Sequence, residues 1–89
     1  MEITFDPAKD AINRKHDGIS LADAQRFDWA SLVYQVDTRK EYGEERYRGF
    51  GYIDGRLHMV AFTFRDGTMR VISLRKANPR EVKAYEQAR

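Results

Sequence analysis

Two Asp-Gly dipeptides, Asp54-Gly55 and Asp66-Gly67, each lie between runs rich in aromatic and β-branched residues. The tightest hairpin turn needs positive φ at both central residues, and Asp-Gly accepts it. The pattern therefore predicts three antiparallel strands in meander order, Glu45–Ile53, Arg56–Arg65 and Thr68–Lys76. With two-residue turns the register follows directly, and with it which side chains share a face.

That register groups Arg46–Thr63–Arg70, Arg48–Ala61–Ile72, Phe50–Met59–Leu74 and Tyr52–Leu57–Lys76 on one face, with Arg65 beyond Thr63. The other face carries Tyr47–Phe62–Val71, Phe64–Met69, Gly49–Val60–Ser73 and Gly51–His58–Arg75. The second face is mostly apolar and is expected to pack on helices. The first gathers Arg46, Arg48, Arg65 and Arg70, which repel one another unless an anion or acidic side chains sit among them. Glu44, Glu45 and Asp66 are the nearby carboxylates in sequence. Arg75 falls on the apolar face beside His58, and a bulge near Ser73–Arg75 would return it to the arginine face.

The rest of the chain supplies helices. Glu2–Phe5 alternates like a short strand. Asp6-Pro7 opens a helix to about His16, closed by Asp17-Gly18. Ser20-Leu21-Ala22-Asp23 resembles a capping box with Asp for Glu, and Leu21, Ala24 and Phe27 fall at core spacing on a second short helix. Ser31–Val36 favours strand. Asp37–Glu44 is a charged, exposed loop that could border a ligand groove or meet a partner. Asn78-Pro79-Arg80-Glu81 gives N-cap, N1 proline and an N3 glutamate for a helix over Pro79–Ala88. The fold class is thus α+β: N-terminal helices, an antiparallel sheet and a C-terminal helix.

Eighty-nine residues suit a single domain, residues 1–89. The chain has no apolar run of membrane-spanning length, no secretory signal pattern and no cysteine, which points to the cytosol and excludes a disulfide scaffold or a thiol nucleophile. Residues 1–55 carry eight Lys/Arg against eleven Asp/Glu, whereas residues 56–89 carry eight against three. The basic half suggests a polyanionic partner.

Several residues then occur in a familiar order. Phe5-Asp6-Pro7-Ala8-Lys9, Asn13, Lys15-His16, Gly18-Ile19-Ser20, Ala24 and Phe27 come first. Glu45-Arg46, Gly51, Thr63, Arg65, Arg70-Val71-Ile72-Ser73, Arg75-Lys76-Ala77, Glu81 and Tyr85-Glu86 follow. Across nearly its whole length the chain resembles the BrnT family of toxins from type II toxin–antitoxin systems. The resemblance implies a RelE-like fold and a ribonuclease that arrests growth by cutting RNA. It also implies a ribbon-helix-helix antitoxin that covers the toxin, so that DNA is met only through that partner. The chain departs from the family at two places. Asp17 stands between His16 and Gly18, and Phe64 occupies a position that is often Glu.

RNA cleavage without a metal uses the ribose 2′-OH as nucleophile. It needs a base for that proton, an acid for the leaving 5′-oxygen, and positive charge on the phosphorane. Arginine suits the last task, because its fork binds two phosphate oxygens and stays charged. The candidate catalytic residues are Arg46, Arg65, Arg70 and Arg75, with Glu45 as base. Lys76, Arg48, His58 and Tyr47 are candidate RNA contacts. No HxxxH or HExxH spacing is present, so neither metal nor cofactor is expected. A non-catalytic basic module docking RNA or an acidic protein is the alternative, and a purely structural partner in a complex is a third reading.

Overall fold

Both Asp-Gly pairs turn as the sequence predicts. Asp54 and Gly55 have φ of 51° and 76°, and Asp66 and Gly67 have 52° and 77°, the pattern of type I′ turns. The computed structural model describes residues 1–88. In chain order its regular elements are β1 (Ile3–Phe5), α1 (Pro7–Asp17), β2 (Val33–Val36), β3 (Tyr47–Ile53), β4 (Arg56–Arg65), β5 (Thr68–Lys76) and α2 (Pro79–Gln87). The architecture is α+β.

The helix signals are met by hydrogen bonds. The Asp6 side chain accepts from the Ala8 N–H at 2.9 Å, and Gly18 closes α1 in the left-handed conformation at φ 70°. In α2 the capping box is reciprocal. The Glu81 N–H donates to Asn78 Oδ1 at 2.8 Å, and the Asn78 N–H donates to Glu81 Oε1 at 2.9 Å. The second predicted helix instead winds as a 3-10 segment, Leu21–Arg26, followed by a 3-10 turn at Trp29–Ser31. The acid that completes the Ser20 turn is Asp10 of α1, not Asp23. Asp10 Oδ1 accepts from the Ser20 hydroxyl at 2.9 Å and the Leu21 N–H at 2.7 Å. Asp23 pairs with Arg26. Leu21, Ala24 and Phe27 are buried all the same.

The five strands lie in the order β1-β5-β4-β3-β2. One expectation is corrected here: the sheet is not wholly antiparallel, because β1 pairs parallel with β5. The β3–β4 register is as predicted throughout. The β4–β5 register holds from Arg65↔Thr68 to Phe62↔Val71 and then shifts, so that Ala61 faces Ser73 and Ile72 has no partner. The bulge therefore sits just before the segment where the sequence had suggested one. Every row beyond it is corrected by one residue. Ser73 replaces Ile72 opposite Ala61, Leu74 replaces Ser73 opposite Val60, Arg75 replaces Leu74 opposite Met59, and Lys76 faces His58. One inserted residue inverts the facing of all that follow. It sends Leu74 into the core at 0% exposure and Arg75 out of it.

Both sheet faces are covered in part. Leu21, Ala24 and Phe27 pack with Ile53, Val60, Phe62, Met69, Val71 and Leu74 on the apolar face. On the arginine face, α2 packs Val82 and Tyr85 against Phe50, Tyr52, Leu57 and Ala77. The expected gathering of helices on the apolar face alone is thus corrected. The edge of β5 beyond β1 is closed by Asn13 of α1. Its amide donates to the carbonyls of Leu74 (2.8 Å) and Ile19 (2.9 Å), and its Oδ1 accepts from the Leu74 N–H at 3.1 Å. Asn13→Ala takes a partner from three backbone groups, two of them buried, and is expected to lower stability by about 3 kcal/mol. A fall in denaturant midpoint at unchanged m-value checks this.

Candidate active site

Five guanidiniums share one face, the fifth brought there by the bulge: Arg46 and Arg48 at β3, Arg65 of β4, and Arg70 and Arg75 of β5. Two carboxylates lie among them. Glu81, fixed in the first turn of α2 by its capping box, takes the end of Arg75. Nη1 donates to Oε1 at 2.8 Å and Nη2 to Oε2 at 3.0 Å. Arg48 Nη2 donates to the same Oε2 at 3.2 Å. Glu44 lies between Arg46 (3.6 Å) and Arg65 (3.2 Å).

Arg70 is half-buried and has no side-chain hydrogen bond or ion pair with any described residue. Five guanidiniums against two carboxylates leave positive charge in excess, in partly desolvated surroundings where it acts strongly on an anion.

The electrostatics follow from these contacts. The Arg75 guanidinium, with the Asn78 N–H at the helix start and Arg48 alongside, holds the Glu81 carboxyl down at about 2. Glu81 in turn raises Arg75 above its ordinary value. Arg75 keeps its Nε edge without a protein hydrogen bond among the described residues, so one side of its fork can still meet a phosphate oxygen. The Nε atoms of Arg46 and Arg48 are buried without a hydrogen bond among the described residues, the Arg46 Nε having only the Glu44 carboxylate at 3.6 Å. Each such donor costs about 1–3 kcal/mol unless satisfied. The loop between β2 and β3 closes over Arg46 by stacking Tyr42 on its guanidinium at 4.3 Å. That loop is itself braced by a bidentate Arg39–Asp37 pair with both distances 2.9 Å, and Arg39 holds the Asp37 carboxyl well below the usual carboxylate range.

Arg46, Arg48, Arg65 and Arg70 share a face as the sequence predicts, and Arg75 joins them. Four other candidates lie elsewhere. Glu45 is on the opposite side, where its carboxylate accepts from the Tyr47 hydroxyl at 2.5 Å and raises the phenol's pKa. Tyr47 is half-buried in an aromatic cluster with Tyr34, Phe62 and Phe64. His58 is 4% exposed on the core face, its Nδ1 donating to the Arg56 carbonyl at 2.8 Å. Burial pushes its imidazole below the ordinary value. Lys76 is exposed beside His58, on that same side of the sheet. Tyr85 is buried, its hydroxyl donating to the Ser31 carbonyl.

Sequence reasoning missed Glu81 as a site residue. Its capping box was legible, but nothing in the sequence said that α2 would lie on the arginine face.

A family model described as the ribonuclease toxin BrnT of type II toxin–antitoxin systems matches residues 5–81. The chain belongs to the BrnT family. The matched span holds Glu44, all five arginines of the cluster and, at its end, Glu81. Comparison with curated proteins gave no match. No helix of this BrnT-family chain, among the described residues, is long and apolar enough to cross a membrane.

Proposed function

We propose that this chain is a metal-independent endoribonuclease that binds the scissile phosphate of cellular RNA on its arginine face, arrests growth, and is neutralised by a ribbon-helix-helix antitoxin. The observation that carries the reading is Arg70, a half-buried guanidinium with no protein partner among the described residues, flanked by Arg46 and Arg65 on the same face. Its unpaired charge is available to an anion, and a phosphodiester is the anion that a ribonuclease toxin meets.

In this mechanism the ribose 2′-oxygen attacks phosphorus, the P–O5′ bond breaks, the leaving 5′-oxygen takes a proton from solvent water, and a 2′,3′-cyclic phosphate and a 5′-hydroxyl result. Arg70 and Arg46 neutralise the charge that builds on the phosphorane oxygens. Glu44 is the carboxylate placed to accept the 2′-OH proton, since it lies between Arg46 and Arg65 on the phosphate side. Glu45 is turned away towards Tyr47. Glu81, held near 2 by its arginines, is too weak a base for that task and serves to hold Arg75 and Arg48. Because guanidinium groups supply the positive charge, the chemistry calls for no metal.

Expression in a bacterial host tests this. The wild-type chain is expected to stop growth and degrade RNA within minutes of induction, with and without a chelator in a purified reaction. Co-expression of a ribbon-helix-helix protein encoded beside it is expected to restore growth. A folded wild-type chain that is harmless and leaves RNA intact sinks the ribonuclease reading and favours a non-catalytic binding module. Growth unaffected by any such neighbour sinks the antitoxin assignment alone.

A further inference from the structure

A cavity of about 270 Å³ opens on the arginine face between the β2–β3 edge and α2. Its walls are mostly apolar: Val33 and Phe50 from the sheet, Ala84 and Tyr85 from the helix. Arg48 and Gln35, paired across the two strands, bring the polar groups. We propose that this cavity is a subsite for one unpaired nucleobase of the RNA, seated against Phe50 and Tyr85 with a carbonyl edge on Arg48. The proposal deepens the ribonuclease reading and rests on it.

Three observations support a base. The first is shape and chemistry. Proteins that read single-stranded RNA splay out a base, stack it on aromatic or guanidinium planes, and hydrogen-bond its edge. Here the Arg48 guanidinium lies 5.5 Å from the Phe50 ring centroid, beside apolar walls. The second is unused donor capacity. Among the described residues, only Nη2 of the Arg48 nitrogens has a hydrogen-bond partner, Glu81, and Nε is buried without one. Arginine most often reads the O6 and N7 of guanine, and adenine offers no carbonyl. The third is continuity. Arg46 and Arg48 are alternate residues of one extended segment, about 7 Å apart at the rise of a strand, a spacing that one nucleotide can bridge. Glu81 links Arg48 to Arg75, so the base slot and the phosphate face share one carboxylate.

Ala84 tests the slot without touching an arginine. It is an exposed helix residue, so Ala84→Leu is expected to fold normally while filling the cavity. Wild type and A84L would be compared on single-stranded oligoribonucleotides carrying guanine, adenine or an abasic ribose at each position flanking the cut.

Wild type is expected to prefer guanine over the abasic site at one position by about 10- to 100-fold in kcat/KM. A84L is expected to erase that preference while cutting the abasic substrate at the wild-type rate. Binding of non-cleavable 2′-O-methyl trinucleotides, followed by NMR, gives a readout independent of cleavage. A guanine preference lost in A84L upholds the slot even for a chain that does not cut RNA. Equal losses on base-bearing and abasic substrates overturn it. So does an A84L variant with unchanged RNA preference that fails to bind the antitoxin, since the cavity is then a protein groove.

Discussion

Arg70→Ala is expected to lower the rate of RNA cleavage by about 10²- to 10³-fold, the usual effect of removing one preorganised group that meets developing charge. Thermal stability should hardly move. The side chain forms no ion pair or hydrogen bond with the described residues, and it stands among other cations, so its loss removes repulsion and leaves no group unpartnered. That separation of activity from stability is what distinguishes a ligand-binding arginine from a structural one.

Arg70→Lys keeps the charge but not the planar fork and should recover only part of the rate. Arg65→Ala should cost less, since Arg65 is 56% exposed and already engaged by Glu44. Single-turnover cleavage of a short oligonucleotide, with a melting curve for each variant, makes the comparison. The salt dependence of RNA binding should also fall by about one phosphate contact in Arg70→Ala. Wild-type cleavage by Arg70→Ala would move the scissile phosphate to the Arg75 end of the face.

The sheet was readable from the sequence to the extent that turns set it. Asp54-Gly55 and Asp66-Gly67 have a side-chain pattern that makes a two-residue turn easy, and every β3–β4 pair follows from the first of them. The bulge at Ile72 was less legible, because no residue type demands it. What demands it is a conflict between Leu74 and Arg75, only one of which can enter the core, and that conflict is settled over the whole β4–β5 ladder. The placement of α2 was illegible for a related reason. Asn78 to Glu81 encodes where the helix starts, but its docking depends on Phe50, Tyr52, Leu57 and Tyr85 finding one another across the fold. The candidates that lie off the arginine face share that origin. Glu45 was chosen for its neighbour Arg46, yet adjacent residues in an extended segment point to opposite sides. Lys76 and His58 changed company when the register shifted.

Glu81 should show the second large effect, because it serves α2 and the arginines together. Glu81→Ala removes half of the capping box, a loss of about 1 kcal/mol, and strips Arg75 and Arg48 of their shared carboxylate. Lowering of the Glu81 carboxyl from 4.5 to about 2 corresponds at most to about 3 kcal/mol. Solvent screening at a helix end brings that nearer about 2 kcal/mol, so the expected total is about 3 kcal/mol. Cleavage should fall at least tenfold as well, since neither arginine is then held on the face.

The charge component has a signature in pH. A depressed carboxyl stabilises the fold above its unfolded value and ceases to do so as pH falls through its folded value. Wild type should therefore lose this contribution between about pH 4.5 and pH 2. Glu81→Gln keeps a side chain able to complete the cap but cannot ionise. Its loss of stability at neutral pH should equal that of Glu81→Ala minus the cap component, and its stability should fall less steeply than that of wild type across that acidic window. Urea midpoints from pH 2 to 6 for the three proteins give the comparison. Parallel curves for wild type and Glu81→Gln would mean that the bidentate bond to Arg75 adds nothing to folding, and that the arginines are held on the face by the sheet alone.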